Sequence, residues 1–221
     1  MGVFETLRVI NGQALFFEEH RAELTRAMAA LGLTCDKDLA EEAENLPTAS
    51  GRWRWVVRPR ETRTVFTEED LTGRKPVALS LSSVRVGSNN WDARFKTVSH
   101  LSHAQAWKLA VTPEVVLLNE RGHVASASRG NIFWRRGDHV YTPAHEAGCR
   151  RGVVRAFVLP IFNVEEGHFP VAEVLEADEI FVTNSMRGIV SVNEVPGRAL
   201  KAFAIADHLR EKYEKAIAAQ L

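Results

Sequence analysis

The chain is poor in cysteine: Cys35 and Cys149 are the only two in 221 residues, far apart and outside any CxxC spacing. That excludes a disulfide scaffold and a cysteine-based zinc site, and it reads as a cytosolic redox compartment. Net charge is lacking too, since 28 lysines and arginines balance 28 aspartates and glutamates. No sequence-wide field then draws the protein to nucleic acid or to an anionic membrane, which leaves a small molecule or a protein as partner. No apolar run approaches the roughly 20 residues of a spanning helix, and the N-terminus MGVFETLRV has no basic segment leading into an apolar stretch. The expectation is a soluble, unexported, cytoplasmic protein without an internal repeat. His20, His100 and His103 have no carboxylate or cysteine at ligand spacing, so no metal is expected.

What is present is periodicity of two kinds. Val3 to Ile10 alternates as a strand, Asn11-Gly12 is a strong hairpin signal, and Ala14 to Phe17 resumes an extended pattern. Leu24, Met28 and Leu31 then form an apolar helical stripe that Gly32 can stop, and Leu39, Ala43 and Leu46 form a shorter one ending before Pro47. Trp53, Trp55 and Val57 alternate with Arg52, Arg54 and Val56, and Val77, Leu79 and Leu81 keep the period of two. Gly87-Ser88-Asn89-Asn90 is the most linker-like stretch, which predicts two units, residues 1–88 and 89–221.

The second unit predicts a helix through Leu101, Ala104 and Leu109. Short strands follow at Val115 to Leu118, His123 to Ala125, Ile132 to Trp134 and His139 to Tyr141, a meander or partial barrel. Gly152 to Leu159 reads as a helix, Glu179 to Thr183 as an apolar strand, and Ala199 onward as a closing helix.

Five segments occur in one order: FETLRV at 4–9, FKT at 95–97, NIFW at 131–134, YTPAHEAGCRRGVVR at 141–155 and ADEIFVTNS at 177–185. Each alone is common, but the set resembles the class IV pyridoxal-phosphate enzymes, the branched-chain aminotransferase and aminodeoxychorismate lyase group. The resemblance implies an α/β (α+β) fold with a small N-terminal α+β domain and a larger strand-rich pseudo-barrel domain. It also implies pyridoxal 5'-phosphate held between the two, and a homodimer. The chain opens at the strand that most members reach after a leading segment, which reads as one N-terminal strand fewer.

Residue by residue, the resemblance makes Lys96 the Schiff-base lysine and the acid/base at the substrate Cα. A solvated surface lysine is the ordinary alternative. Gly152 would open a helix whose Val153 and Val154 backbone N–H groups take the cofactor phosphate, with the Thr183-Asn184-Ser185 turn completing the cup and Ser185 its closest match. Ser128 and Asn131 would stand beside the ring, and Arg8 and Arg187 are candidates for a substrate carboxylate.

Two positions depart from the family pattern. Ser126 stands where a glutamate pairs with the ring nitrogen, and a hydroxyl cannot stabilise a positive charge there as a carboxylate does. Glu23 stands where an arginine faces the phosphate, with Arg26 three residues on as a substitute on roughly the same helix face.

The expected function is amino transfer between an amino acid and a 2-oxo acid. The alternatives are a lyase releasing pyruvate and a noncatalytic binding protein that keeps the fold. A nucleic-acid binder would rest on Arg52-Trp53-Arg54-Trp55, but alternation puts the tryptophans and arginines on opposite faces, as a half-buried strand requires. Neither nucleic acid nor membrane is expected as a partner.

Overall fold

A computed structural model describes residues 1–71 and 75–221. It begins with β1 (Val3–Ile10), β2 (Gln13–Ala14), α1 (Phe17–Leu31), α2 (Leu39–Glu44), β3 (Gly51–Arg58) and β4 (Glu61–Glu68), whose strands form a sheet in the order β2-β1-β3-β4. The β1–β2 turn works because Asn11 and Gly12 both take positive φ, 49° and 83°, as a type I′ hairpin demands. The extended run expected through Phe17 stops at Ala14, and Phe16 turns left-handed to start α1. Along α1, His20, Leu24, Ala27 and Leu31 are buried, one face at helical spacing. That face meets Leu7, Val9, Trp53 and Trp55, the last two edge-on with ring centroids 4.9 Å apart. The tryptophans are therefore core.

The chain continues through β5 (Val77–Val86), α3 (Trp91–Arg94), α4 (Leu101–Lys108), β6 (Glu114–Asn119), β7 (Val124–Ala127), β8 (Asn131–Arg136) and β9 (His139–Pro143). It closes with α5 (Val153–Val158), β10 (Val164–Gly167), α6 (Val171–Leu175), β11 (Glu179–Asn184), β12 (Gly188–Val195), β13 (Arg198–Ala199) and α7 (Ala204–Ala218). The closing helix begins five residues later than its pattern suggests, because Arg198 and Ala199 pair with β12 first.

The large sheet runs β10-β9-β8-β11-β12-β5-β6-β7, with β13 beside β12. β5 is hydrogen-bonded between β12 and β6, so the expected division at 88/89 falls one strand late: the sheets part between Glu68 and Val77. β7 and β8 lie five strand steps apart in that order, about 24 Å across a flat sheet. Only residues 128–130 join them, a reach of about 14 Å. The sheet must therefore curl back on itself. β6, β7 and β11 are buried almost throughout, and α7 packs over β12 and β11 through Leu209, Tyr213 and Ile217. Among the described residues no helix is long and apolar enough to cross a membrane.

Candidate functional site

A cavity of about 360 Å³ opens between the small sheet and the curled one. Its wall takes Phe4, Glu5 and Thr6 from β1, Arg52 and Arg54 from β3, and His100 and His103 from α4. Residues 126–131, 150–154 and 183–187 line it further, with Lys96. Nine lining side chains are cationic against the carboxylates of Glu5, Glu23 and Glu69, although the whole chain is neutral. A hollow of about 540 Å³ over α2 is larger but more open, and its wall mixes Lys37 with Asp38, Glu41 and Glu42 without such a bias.

Lys96 reaches the cavity because its backbone is stitched to β1. Phe4 N–H donates to Lys96 O at 2.8 Å, Val98 N–H donates to Gly2 O at 2.9 Å, and Val3 bridges Thr97. The stitch is tight, since a Cβ on Gly2 would meet Val57 O at 2.8 Å. This register sets Lys96 Nζ beside Glu5, donating to Oε2 at 2.8 Å. The same oxygen accepts from His20 Nδ1 at 2.8 Å and from Thr6 N–H at 3.2 Å. Burial alone would raise the Glu5 carboxyl, but the Lys96 charge and the His20 hydrogen bond together lower it to about 2. Glu5 is thus an ionised carboxylate, only 6% exposed, aimed at an amine.

Near Ser126 the chemistry reverses. His103 Nε2 lies 3.2 Å from Ser126 Oγ, and Arg150 Nη2 donates to His103 Nδ1 at 3.2 Å. The Arg150 guanidinium also donates to Asp92 O at 2.8 Å. Burial and the Arg150 charge lower His103 to about 2, so its imidazole is neutral. Arg150 itself is lowered to about 10 by burial and remains a cation at neutral pH.

A third group of residues offers hydrogen-bond donors. The first backbone bond of α5 is Ala156 N–H to Gly152 O, which leaves the Val153 and Val154 N–H groups without a helical acceptor. Thr183 Oγ1, 1% exposed as a residue, is buried on the same wall with no hydrogen-bond partner among the described residues. Ser185 lines the wall as well. The Asn184 carboxamide oxygen is used internally, accepting from Met186 and Arg187 N–H at 3.1 and 2.8 Å. Asn131 is also structural: its Nδ2 donates to Arg150 O at 2.8 Å, and a Cβ on Gly152 would meet its Oδ1 at 2.2 Å. Ser128 lies in the wall, but its hydroxyl donates to buried Glu114.

Of the residues expected from sequence, Lys96, Ser126, Ser128, Asn131, Gly152, Val153, Val154, Asn184, Ser185, Arg26 and Arg187 share this one cavity. Arg8 does not line it. It sits one pleat beyond Thr6 on β1, opposite Arg52, and is buried there. Across the strand pair Arg54, opposite Thr6, reaches the wall instead and lies over the Phe4 ring at 5.1 Å. Arg26 is present but pre-engaged: Nε donates to Glu23 Oε2 at 3.1 Å and the guanidinium stacks 4.8 Å over Phe95. Glu23 therefore faces the cavity as half of an ion pair. Glu5, His103, Arg150 and Arg54 were not singled out for these roles. Glu5 carried a legible signal, a carboxylate at an inward position of an apolar strand.

A model of the family described as Amino-transferase class IV matches residues 2–195. The aminodeoxychorismate lyase of Bacillus subtilis (strain 168) is 26% identical over 229 residues, covering 88% of this chain and 78% of its own length. The branched-chain aminotransferase of the archaeon Thermoproteus uzoniensis, solved with norvaline, superposes with a TM-score of 0.85 at 22% identity, over 97% of this chain and 84% of its own. An aminotransferase from Brucella abortus bound to the cofactor PLP superposes with a TM-score of 0.82 at 20% identity, over 97% and 88%. These likenesses bear out the expected fold.

Proposed function

This chain belongs to the class IV aminotransferases, and from that premise we propose that it is a pyridoxal-phosphate-dependent enzyme acting on an amino acid and a 2-oxo acid, with Lys96 as its covalent anchor for the cofactor. The observation that carries the reading is one cavity lined both by the Lys96 amine and by donors with no acceptor among the described residues, the Thr183 hydroxyl and the Val153 and Val154 N–H groups. An unpartnered buried hydroxyl costs free energy unless a ligand satisfies it, and a phosphate oxygen would. The residues present therefore fit the cofactor.

In this reading Thr183, Ser185, Val153 and Val154 hold the phosphate, with Arg26 as the flanking cation. When bound, pyridoxal phosphate supplies an aldehyde that captures amines and a ring that draws electron density from the substrate Cα. Glu5 orients Lys96 Nζ, which carries a proton to and from Cα. Arg54 and Arg187 are each lowered by burial and by a neighbouring arginine, Arg52 and Arg129 respectively. A substrate carboxylate between these pairs would relieve that repulsion. His100, lowered by burial and then by Arg150, stays neutral at the cavity edge.

A second reading, a lyase that releases pyruvate, is compatible with the Bacillus subtilis relative, and the cationic excess of the wall suits a substrate with two carboxylates. Incubation of the loaded protein with amino donors, with and without a 2-oxo acid, separates the two. Acceptor-dependent formation of a new amino acid supports amino transfer, and pyruvate released without an acceptor supports the lyase. Neither product from a protein that retains the cofactor would leave a noncatalytic binding role. We read the protein further as cytoplasmic and homodimeric, without nucleic acid or membrane as partner. Free Cys35 and Cys149 and the exposed Trp91, Leu101, Trp107 and Val111 support this, and light scattering on an eluting peak tests the dimer.

A further inference from the structure

The Ser126 hydroxyl is held by a directed chain whose polarity is fixed by Arg150. A guanidinium has only donors, so the Arg150 contact at 3.2 Å makes His103 Nδ1 an acceptor. The proton of the neutral imidazole must then sit on Nε2, which donates to Ser126 Oγ at 3.2 Å. His103 cannot also take a proton from Ser126, so this is no nucleophile and base pair. With one lone pair of Oγ occupied by His103, the Ser126 proton points elsewhere. Among the described residues no acceptor is recorded for it, and Ser126 lines the cavity. Arg150 is the cation that bears most on His103, and the carboxylates of Asp92 and Glu5 bear in turn on Arg150.

We propose that Arg150 and His103 act as positioning residues that turn the Ser126 hydroxyl proton toward the ring nitrogen of bound pyridoxal phosphate and hold that nitrogen unprotonated; the inference rests on the cofactor reading above. The phosphate is spoken for by Thr183 and the start of α5, and the aldehyde by Lys96. The ring nitrogen is the remaining basic acceptor remote from both. A protonated ring would place a second cation one histidine away from Arg150, and the carboxylates of Asp92 and Glu5 already act on that guanidinium, whereas a neutral ring accepts the hydrogen bond that Ser126 has left. A neutral ring draws less electron density from the substrate Cα, so the arrangement restrains carbanion chemistry rather than promoting it.

The test is nitrogen-15 NMR of the holoprotein reconstituted with ring-labelled pyridoxal phosphate, recorded across the histidine titration range, about pH 6 to 8. The wild type is expected to show an unprotonated-pyridine signal that does not move with pH. Ser126→Glu is expected to shift it to the protonated position. His103→Gln, whose amide can accept from Arg150 and donate to Ser126, keeps the wild-type signal, and His103→Leu moves it toward a pyridine without a hydrogen bond. A protonated wild-type signal, or identical signals in His103→Leu and wild type, overturns the relay and leaves the cofactor reading standing. Failure of the wild type to retain pyridoxal phosphate through gel filtration overturns both.

Discussion

Two buried histidines stand behind the same cavity, His20 at 1% exposure and His103 at 4%, and they do opposite things. His20 gives its Nδ1 proton to the ionised Glu5, in company with Lys96. His103 receives at Nδ1 from Arg150 and gives from Nε2 to Ser126. Burial is nearly equal, so the neighbour sets the role: a carboxylate draws a proton onto the near nitrogen, and a guanidinium drives it to the far one. The cavity thereby gains an anion beside its amine on one wall and a cation behind its hydroxyl on the other.

The strongest way to break this contrast is to remove the anion. Glu5→Leu leaves His20 and Lys96 without their shared acceptor, and breaking a buried ion pair from one side is expected to cost about 3–5 kcal/mol in urea unfolding. Glu5→Gln, whose amide oxygen still accepts, is expected to cost less. A neutral Glu5→Leu would mean that the acidic cluster holds nothing together.

The cationic wall can be read by pH. His103 is lowered from 6.5 to about 2, so between those values the unfolded chain binds a proton that the folded one refuses, and stability falls as pH falls. The expected slope is about 1.4 kcal/mol per pH unit below the unfolded value, and His103→Gln should flatten it. Glu5, lowered from 4.5 to about 2, adds a slope of the same sign only below 4.5. His100 and His145, also lowered by burial, add slopes of the same sign above 4.5, so the difference between wild type and His103→Gln from pH 4.5 to 6.5 gives the His103 share.

Smaller effects sharpen the picture around the phosphate donors. Thr183→Val removes one hydrogen bond to a charged group, about 1.5–3 kcal/mol, or roughly tenfold to a hundredfold in pyridoxal phosphate affinity by equilibrium dialysis. Arg26→Ala should matter least. Its pair with Glu23 is a quarter to a third exposed, and such pairs contribute under about 1 kcal/mol, a fivefold change or less.

Much of this arrangement was legible in the sequence. Asn11-Gly12, the α1 stripe, the tryptophan alternation and the order of five short segments led to the fold and to Lys96. β4 escaped because an edge strand carries charge, as Glu61, Arg63 and Glu68 do, and β12 because no turn signal beyond Thr183-Asn184-Ser185 was followed. The partners of each site residue were hidden for a geometric reason. Alternation tells which face Glu5 takes, but not that His20, on α1, or Lys96, 91 residues away, will meet it. Ser126, His103 and Arg150 come from three separate segments, and only the curl of the large sheet brings them into one line. Arg8 was a candidate for a substrate carboxylate on sequence alone; it shares a sheet face with Thr6, Arg52 and Arg54, but of the four it alone does not line the wall.

Whether Lys96 anchors the cofactor in this cavity is read directly by a covalent trap. The protein is incubated with pyridoxal phosphate, reduced with borohydride and digested, and the phosphopyridoxyl mass is located among the peptides. The label is expected on the peptide containing Lys96 in the wild type and is expected to be absent from Lys96→Ala. Equal labelling of other lysines in both proteins, or no label at excess cofactor, would contradict that anchoring role.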